Sequence, residues 1–242
     1  MKRKPRVGDG AVVETASYLD AFDACQEVVD LHTIARLNGP PGTGKTEAVR
    51  QFCAICGFRP LWVHLESSQG GYAVTRLLHR QLHIAGTGSG DDLLERLTPE
   101  LVNPHRLIVV DESDLMRRDS LRHVTYLSDR EDLAVGFVLI GSDFTEAEAL
   151  APQLFNRVTC EVPFRALGAR ELIPVIRAYH PELLRPLSDR EIKAIDAEHC
   201  AGIWRNWVEL IRKCRYYMLR LGLTVLSMEI VAAALASKTG KG

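Results

Sequence analysis

The segment Gly39-Pro40-Pro41-Gly42-Thr43-Gly44-Lys45-Thr46 constrains this chain more than any other stretch. A glycine, a four-residue spacer and then Gly-Lys-Thr is the pattern of a loop that wraps phosphate between a strand and a helix. Each residue type has a physical reason. The glycines let backbone N–H groups curl around an anion without a Cβ in the way. A helix starting near Lys45 aims the positive end of its dipole at the same anion. Lys45 adds a point charge for the β- and γ-phosphates, and the Thr46 hydroxyl is a magnesium ligand. The flanks agree, since apolar residues 33–37 precede the loop and a helical pattern over Lys45–Cys56 follows it. The expected ligands are ATP and Mg2+, held by Gly39, Pro40, Pro41, Gly42, Thr43, Gly44, Lys45, Thr46 and Glu47.

Short apolar runs recur along the chain at 33–37, 61–65, 107–110, 135–140 and 158–162, and helical patterns lie between them at 45–56, 72–84 and 115–127. A further helix is expected at 18–31. This alternation predicts an α/β fold with a central parallel five-stranded sheet covered on both faces. After Arg165 the pattern is helical only, over 169–179, 189–197, 203–221 and 225–237. The expected organisation is a flexible basic arm at 1–16, a nucleotide-binding α/β domain at 17–164 and a small helical lid at 165–242. Three glycines within Gly86-Thr87-Gly88-Ser89-Gly90 read as a surface loop.

A second element completes the phosphate loop. Leu107-Ile108-Val109-Val110-Asp111-Glu112 is an apolar strand ending in two acids. Asp111 is expected on the magnesium shell, and Glu112 beside the water that attacks the γ-phosphate, which needs a base placed there. After the next strand comes Gly141-Ser142-Asp143, where Ser142, with Asp143 the alternative, can reach the γ-phosphate or the water. Arg157, just before the last strand, and Arg205, opening a helix of the lid, are candidates to stabilise the charge of phosphoryl transfer. For each of these an ordinary strand-end turn or surface arginine is the competing reading.

Composition narrows the partners. The formal net charge is -1 and the pI about 6.7, so no global positive field advertises nucleic acid. No uncharged apolar run reaches the ~18 residues of a membrane span, so no membrane partner is expected. Met1-Lys2-Arg3-Lys4-Pro5-Arg6 is basic with no apolar stretch after it, unlike a secretory signal. Six cysteines are scattered, and the lone Cys53-x-x-Cys56 falls inside the helix after the phosphate loop with no second pair to complete a zinc site. Reduced thiols and a cytoplasmic location are the expectation.

Taken together, the phosphate loop, the Asp-Glu strand, the polar strand end, the arginine before the fifth strand and Gly202-x-x-Arg205 resemble an AAA+ ATPase. Within that superfamily the chain is similar to the DNA-transposition regulators, the family of the phage Mu B protein, TnsC and TniB. The resemblance is carried by Gly42-Thr43-Gly44-Lys45-Thr46-Glu47-Ala48-Val49-Arg50, by Leu107 to Leu115, by Val135 to Asp143 and by Leu154-Phe155-Asn156-Arg157-Val158. Ser113 and Ser142 depart from the family's usual residues.

The resemblance implies a slow, assembly-stimulated ATPase that forms filaments or rings of its own copies on duplex DNA, selects a transposition target and activates a transposase. It implies DNA contacts in the segments after the second and third strands, here Gln69, Tyr72, Arg76, Arg80 and Thr87, then Arg117 and Arg118. Arginines there would grip phosphate without reading sequence. A helicase loader or replication initiator, and a nucleotide-gated switch without a DNA role, are the alternatives.

Overall fold

A computed structural model describes residues 10–67, 69–102 and 106–236. They form two compact units, one spanning Ala16–Phe164 and the other drawing on residues on either side of it.

The larger unit runs α1 (Ala16–Leu31), β1 (Ile34–Asn38), α2 (Lys45–Cys56), β2 (Leu61–His64), α3 (Ala73–Gln81), α4 (Gly90–Glu100), β3 (Arg106–Asp111), α5 (Arg118–Ser128), β4 (Val135–Ile140), α6 (Thr145–Leu150), α7 (Pro152–Phe155) and β5 (Val158–Pro163). The five strands form one sheet in the order β2-β3-β4-β1-β5, with every neighbouring pair parallel. Helices cover both faces, and this explains the unbroken apolar runs of β3 and β4. Alternate residues of one strand serve different cores. Ile108 and Val110 pack in the core that holds Leu78, Leu97 and Leu121 of α3, α4 and α5. Leu107 and Val109 pack with Val28 of α1 and Phe52 of α2 on the other face. At Gly136 the first helix comes so close that a Cβ would meet Val28 at 2.5 Å.

The expected helix at 72–84 is α3, and α5 starts at Arg118 after a short 3-10 turn at Ser113–Leu115. The short helices α6 and α7 were not expected from the sequence, nor was the longer α4. Thr87 and its glycine neighbours do form an exposed loop, but Ser89 then caps α4. The Ser89 hydroxyl accepts from Asp92 N–H, and the Asp92 carboxylate accepts from Ser89 N–H at 2.9 Å, a reciprocal capping box. The edge strand β2 is closed by a side chain: Trp62 N–H donates to Gln81 Oε1 at 3.0 Å, and Gln81 Nε2 donates back to Trp62 O.

The smaller unit contains α8 (Leu172–Tyr179), α9 (Pro181–Leu184), α10 (Asp189–Ile195), α11 (Trp204–Leu221) and α12 (Met228–Ala236). Ile176, Ile192, Trp207, Ile211 and Val231 form its core. Trp207 is fully buried and its indole N–H donates to Asp196 Oδ1 at 2.8 Å. Most of the basic arm expected at 1–16 lies outside the described residues. Ala11 N–H donates to Tyr179 O at 2.8 Å, and Ala16 already begins α1. Residue 237 of the last expected helix also lies outside them. Burial raises the Cys25 thiol to about 12 and the Cys53 thiol to about 11, so both are neutral packing groups. No described helix is long and apolar enough to cross a membrane.

His123 joins α5 to α3. It is buried, its Nδ1 lies 2.7 Å from Thr75 Oγ1, and its ring stacks on Tyr72. Burial first, and then Arg122 beside it, lower its pKa. The unfolded chain therefore takes up a proton more readily than the folded one, and stability is lost as pH falls below about 6.5. The urea midpoint followed by circular dichroism is expected to drop between about pH 7 and about pH 5, and His123→Gln to flatten that drop.

Candidate nucleotide-binding site

The loop between β1 and α2 takes a backbone course that its glycines make possible. Gly39, Gly42 and Gly44 have φ of 132°, 81° and 107°, the left-handed region that side chains disfavour. Gly39 is also packed so tightly that a Cβ would lie 1.9 Å from Phe164 O, whereas a Cβ on Gly44 would meet nothing. The open space at Gly44 lies where α2 begins. No side chain caps that terminus, and its first intrahelical bond is Ala48 N–H to Gly44 O. The N–H groups of Lys45, Thr46 and Glu47 thus form a helix end without a side-chain cap, beside the open space at Gly44, a cradle for an anion. The loop is stitched to the neighbouring strands by Gly39 N–H to Ser142 O at 3.3 Å and by Phe164 N–H to Asn38 O at 2.7 Å.

Lys45 is buried, and its ammonium donates to Gly39 O and to Pro40 O, the latter at 3.0 Å. Carbonyl oxygens there stand where phosphate oxygens would compete for the same cation. Thr43 Oγ1 donates to Pro40 O at 2.9 Å. Pro40 and Pro41 are exposed, and the Glu47 carboxylate is exposed and accepts from Gln51 at 2.7 Å.

Thr46 Oγ1 lies 3.2 and 3.3 Å from the two oxygens of Asp111, which is buried at the end of β3. A hydroxyl beside one carboxylate, next to an anion cradle, is a donor set that suits a hard divalent cation completed by phosphate and water. Glu112 follows in the left-handed conformation, with φ of 56°, an uncommon state for a residue with a side chain. His64, at the end of β2, brings Nδ1 to 3.7 Å from Asp111. Sequence reasoning missed it; the signal available was its place at a strand end.

Two groups with little motif character hold this edge together. The buried Ser113 hydroxyl donates to Ile140 O at 2.9 Å, tying the end of β3 to the end of β4. Asp114 Oδ2 accepts from the N–H of Ser142 at 3.0 Å and of Asp143 at 3.4 Å. Asp143 in turn accepts from the Thr145 hydroxyl and N–H, which hold its carboxyl below the usual range. Both Thr145 contacts fall on Oδ1 of Asp143, so Ser142 and the second Asp143 oxygen are both at this strand end.

Arg157 is not beside the phosphate loop. It precedes β5, whose start pairs with Ile34, while the loop follows the far end of β1 at Asn38. A strand of that length separates them by roughly 15 Å at ~3.3 Å per residue. Arg205 is exposed in the first turn of α11, in the smaller unit. Of the expected DNA-contacting residues, Arg76, Arg80, Thr87, Arg117 and Arg118 are exposed. Gln69 and Tyr72 are half-buried, and Tyr72 stacks on His123 with centroids 5.3 Å apart. The loop before α3 and the start of α5 are joined, since the Ser120 hydroxyl donates to Gly71 O.

Comparison with known proteins agrees with this architecture. The profile of the family described as AAA domain matches residues 30–150. Among solved structures, the Aeropyrum pernix ORC1 protein in complex with DNA superposes with a TM-score of 0.71 at 20% identity, covering 93% of this chain and 66% of that one. This chain thus spans just under two thirds of that protein's length. The Aeropyrum pernix ORC2 protein, in ADPNP-ADP complexes, gives 0.69 at 16% identity, covering 99% and 73%. The Thermotoga maritima RuvB Holliday junction branch migration motor gives 0.61 at 14% identity, covering 93% and 70%. At such identities the likeness is one of fold. No curated protein matches the sequence.

Two substitutions test the site. Lys45→Ala removes a charge-assisted contact, typically about 1.5–3 kcal/mol, so ATP affinity read by fluorescent-nucleotide titration is expected to fall about 10- to 100-fold or more. Glu112→Gln is expected to keep ATP bound while phosphate release slows about 100-fold or more. Unchanged turnover would assign the water to another residue.

Proposed function

The chain belongs to the AAA domain family, and from that premise we propose that it is an assembly-dependent ATPase that binds duplex DNA and regulates transposition. The observation that carries the ATPase part is the meeting of Lys45, Thr46, Asp111, Glu112 and Ser142 at one edge of the sheet, around an uncapped helix end. Lys45 and the loop N–H groups would hold the phosphates, and Thr46 and Asp111 would hold Mg2+, which supplies charge neutralisation between the phosphates. Glu112 would take or orient the proton of the attacking water, and Ser142 would steady the γ-phosphate or that water.

The assembly part of this reading rests on the place of Arg157. It sits at the opposite end of the strands from the phosphate loop, out of reach of its own chain's nucleotide, and in this reading it serves that of a neighbouring copy. An arginine delivered by a neighbour makes hydrolysis depend on assembly, commonly by a factor of about 10³–10⁵. The nucleotide then acts as a timer, with ATP holding copies together and hydrolysis releasing them.

The DNA reading rests on the exposed Arg76, Arg117 and Arg118 at the starts of α3 and α5, two segments that Ser120 and Gly71 join. The transposition reading rests on the family resemblance of the motifs. A second reading is favoured by the fold comparisons, since the Aeropyrum ORC1 protein was seen in complex with DNA; by it the chain would be an initiator or helicase loader. Stimulation of a transposase supports the first reading, and retention of a replicative helicase the second.

DNA retention on filters, measured across salt concentrations, tests the DNA part. With a non-hydrolysable ATP analogue, retention of random-sequence duplex is expected to fall steeply with salt, and Arg117→Ala with Arg118→Ala to lower that slope by about one per lost phosphate contact. Electron micrographs with ATP and DNA should show ordered assemblies that the ADP sample lacks. Equal retention with and without nucleotide would sink the reading.

A further inference from the structure

An arginine that acts on a neighbour's nucleotide must hold its shape while it waits for one. The geometry points to Asp129 as the residue that positions Arg157 for the phosphate of an adjoining copy, an inference that rests on the shared-site reading above. Asp129 caps the carboxyl end of α5, anchored by its own N–H to Thr125 O at 3.1 Å. Arg157 follows α7, with its backbone N–H on Leu154 O at 3.0 Å. Both residues thus leave rigid elements at the amino-terminal edge of the sheet.

The guanidinium is held along one side. Its Nε and Nη2 donate to the two carboxylate oxygens of Asp129, the Nη2 bond at 2.9 Å. Its Nη1 donates to Gln153 O, one helical turn earlier. A guanidinium carries five N–H donors. These bonds use one on Nε and one on each terminal nitrogen, so each terminal nitrogen keeps one donor. Spare N–H donors on a plane held by other bonds are what an arginine offers to phosphate. The pair is open to an approaching partner, with side-chain exposures of 39% for Arg157 and 43% for Asp129.

An exposed ion pair adds little to fold stability. Removing Asp129 therefore separates a positioning role from a folding one. A long arginine without that carboxylate must be ordered at the moment it engages phosphate, and this cost falls on the rate of the shared step. The carboxylate also offsets part of the guanidinium's charge, so a restraining role would change the rate in the opposite direction.

Mixed assemblies on duplex DNA test this. R157A chains keep an intact phosphate site and lack the arginine; E112Q chains keep the arginine and lack the base. Mixing them is expected to restore phosphate release at sites built from one of each. With E112Q/D129A as the arginine donor, maximal restored turnover is expected to fall about tenfold, with the ATP concentration at half-saturation unchanged. E112Q/D129N, which keeps one acceptor oxygen, is expected to lie between, and thermal unfolding of both donors to match E112Q. Equal or faster turnover with the D129A donor overturns the positioning role. Failure of E112Q itself to rescue R157A overturns the shared-site reading and this inference with it.

Discussion

The alignment of three strand ends is the constraint on which the rest depends. Asp111 pairs with Ile140 across β3 and β4, and Ile140 pairs with Leu37 across β4 and β1. The phosphate loop, the two acids and Ser142 therefore emerge level at one edge, although they come from distant parts of the chain. A slip of one residue would send each side chain to the opposite face of the sheet. Here both faces are packed, Val110 and Phe137 on one side and Val109 and Val138 on the other, so a slip would disrupt two cores together.

Short polar ties then refine what register sets coarsely. Ser113 locks β3 to β4, Asp114 holds the backbone before Asp143, and Ser142 O receives Gly39 N–H. Between them Glu112 is kept at a φ of 56°. A conformation of that kind costs roughly 1–3 kcal/mol and persists only where its surroundings over-determine it. Ser113, a departure from the residue usual in the family it resembles, thus has a structural reason: its hydroxyl finds a buried carbonyl that alanine would leave unsatisfied.

Much of this is legible in the sequence, for reasons of period and chemistry. Five apolar runs with helical stretches between them suffice for a covered parallel sheet, and the bounds of α2 and β4 agree to the residue. The phosphate loop was legible because only glycine tolerates its backbone. What stayed hidden depends on partners far away in the chain. α4 was lost because glycines obscured the Ser89–Asp92 cap. Asp114 and Asp129 look like ordinary solvated acids until Ser142 and Arg157 are seen against them. The separation of Arg157 from the phosphate loop is likewise a matter of strand direction, which spacing alone does not show.

Gln81 carries a consequence for a protein proposed to gather many copies along one polymer. Crowding raises the local concentration of every exposed strand, and an open sheet edge is a template for indiscriminate pairing. At the β2 edge the Gln81 carboxamide takes both the donor and the acceptor of Trp62, as an incoming strand would. In an assembly of the kind proposed, copies meeting at Trp62 would then do so through side-chain surfaces that can part, and would find no backbone ladder to extend there. Reversibility would then owe something to one amide on a surface helix.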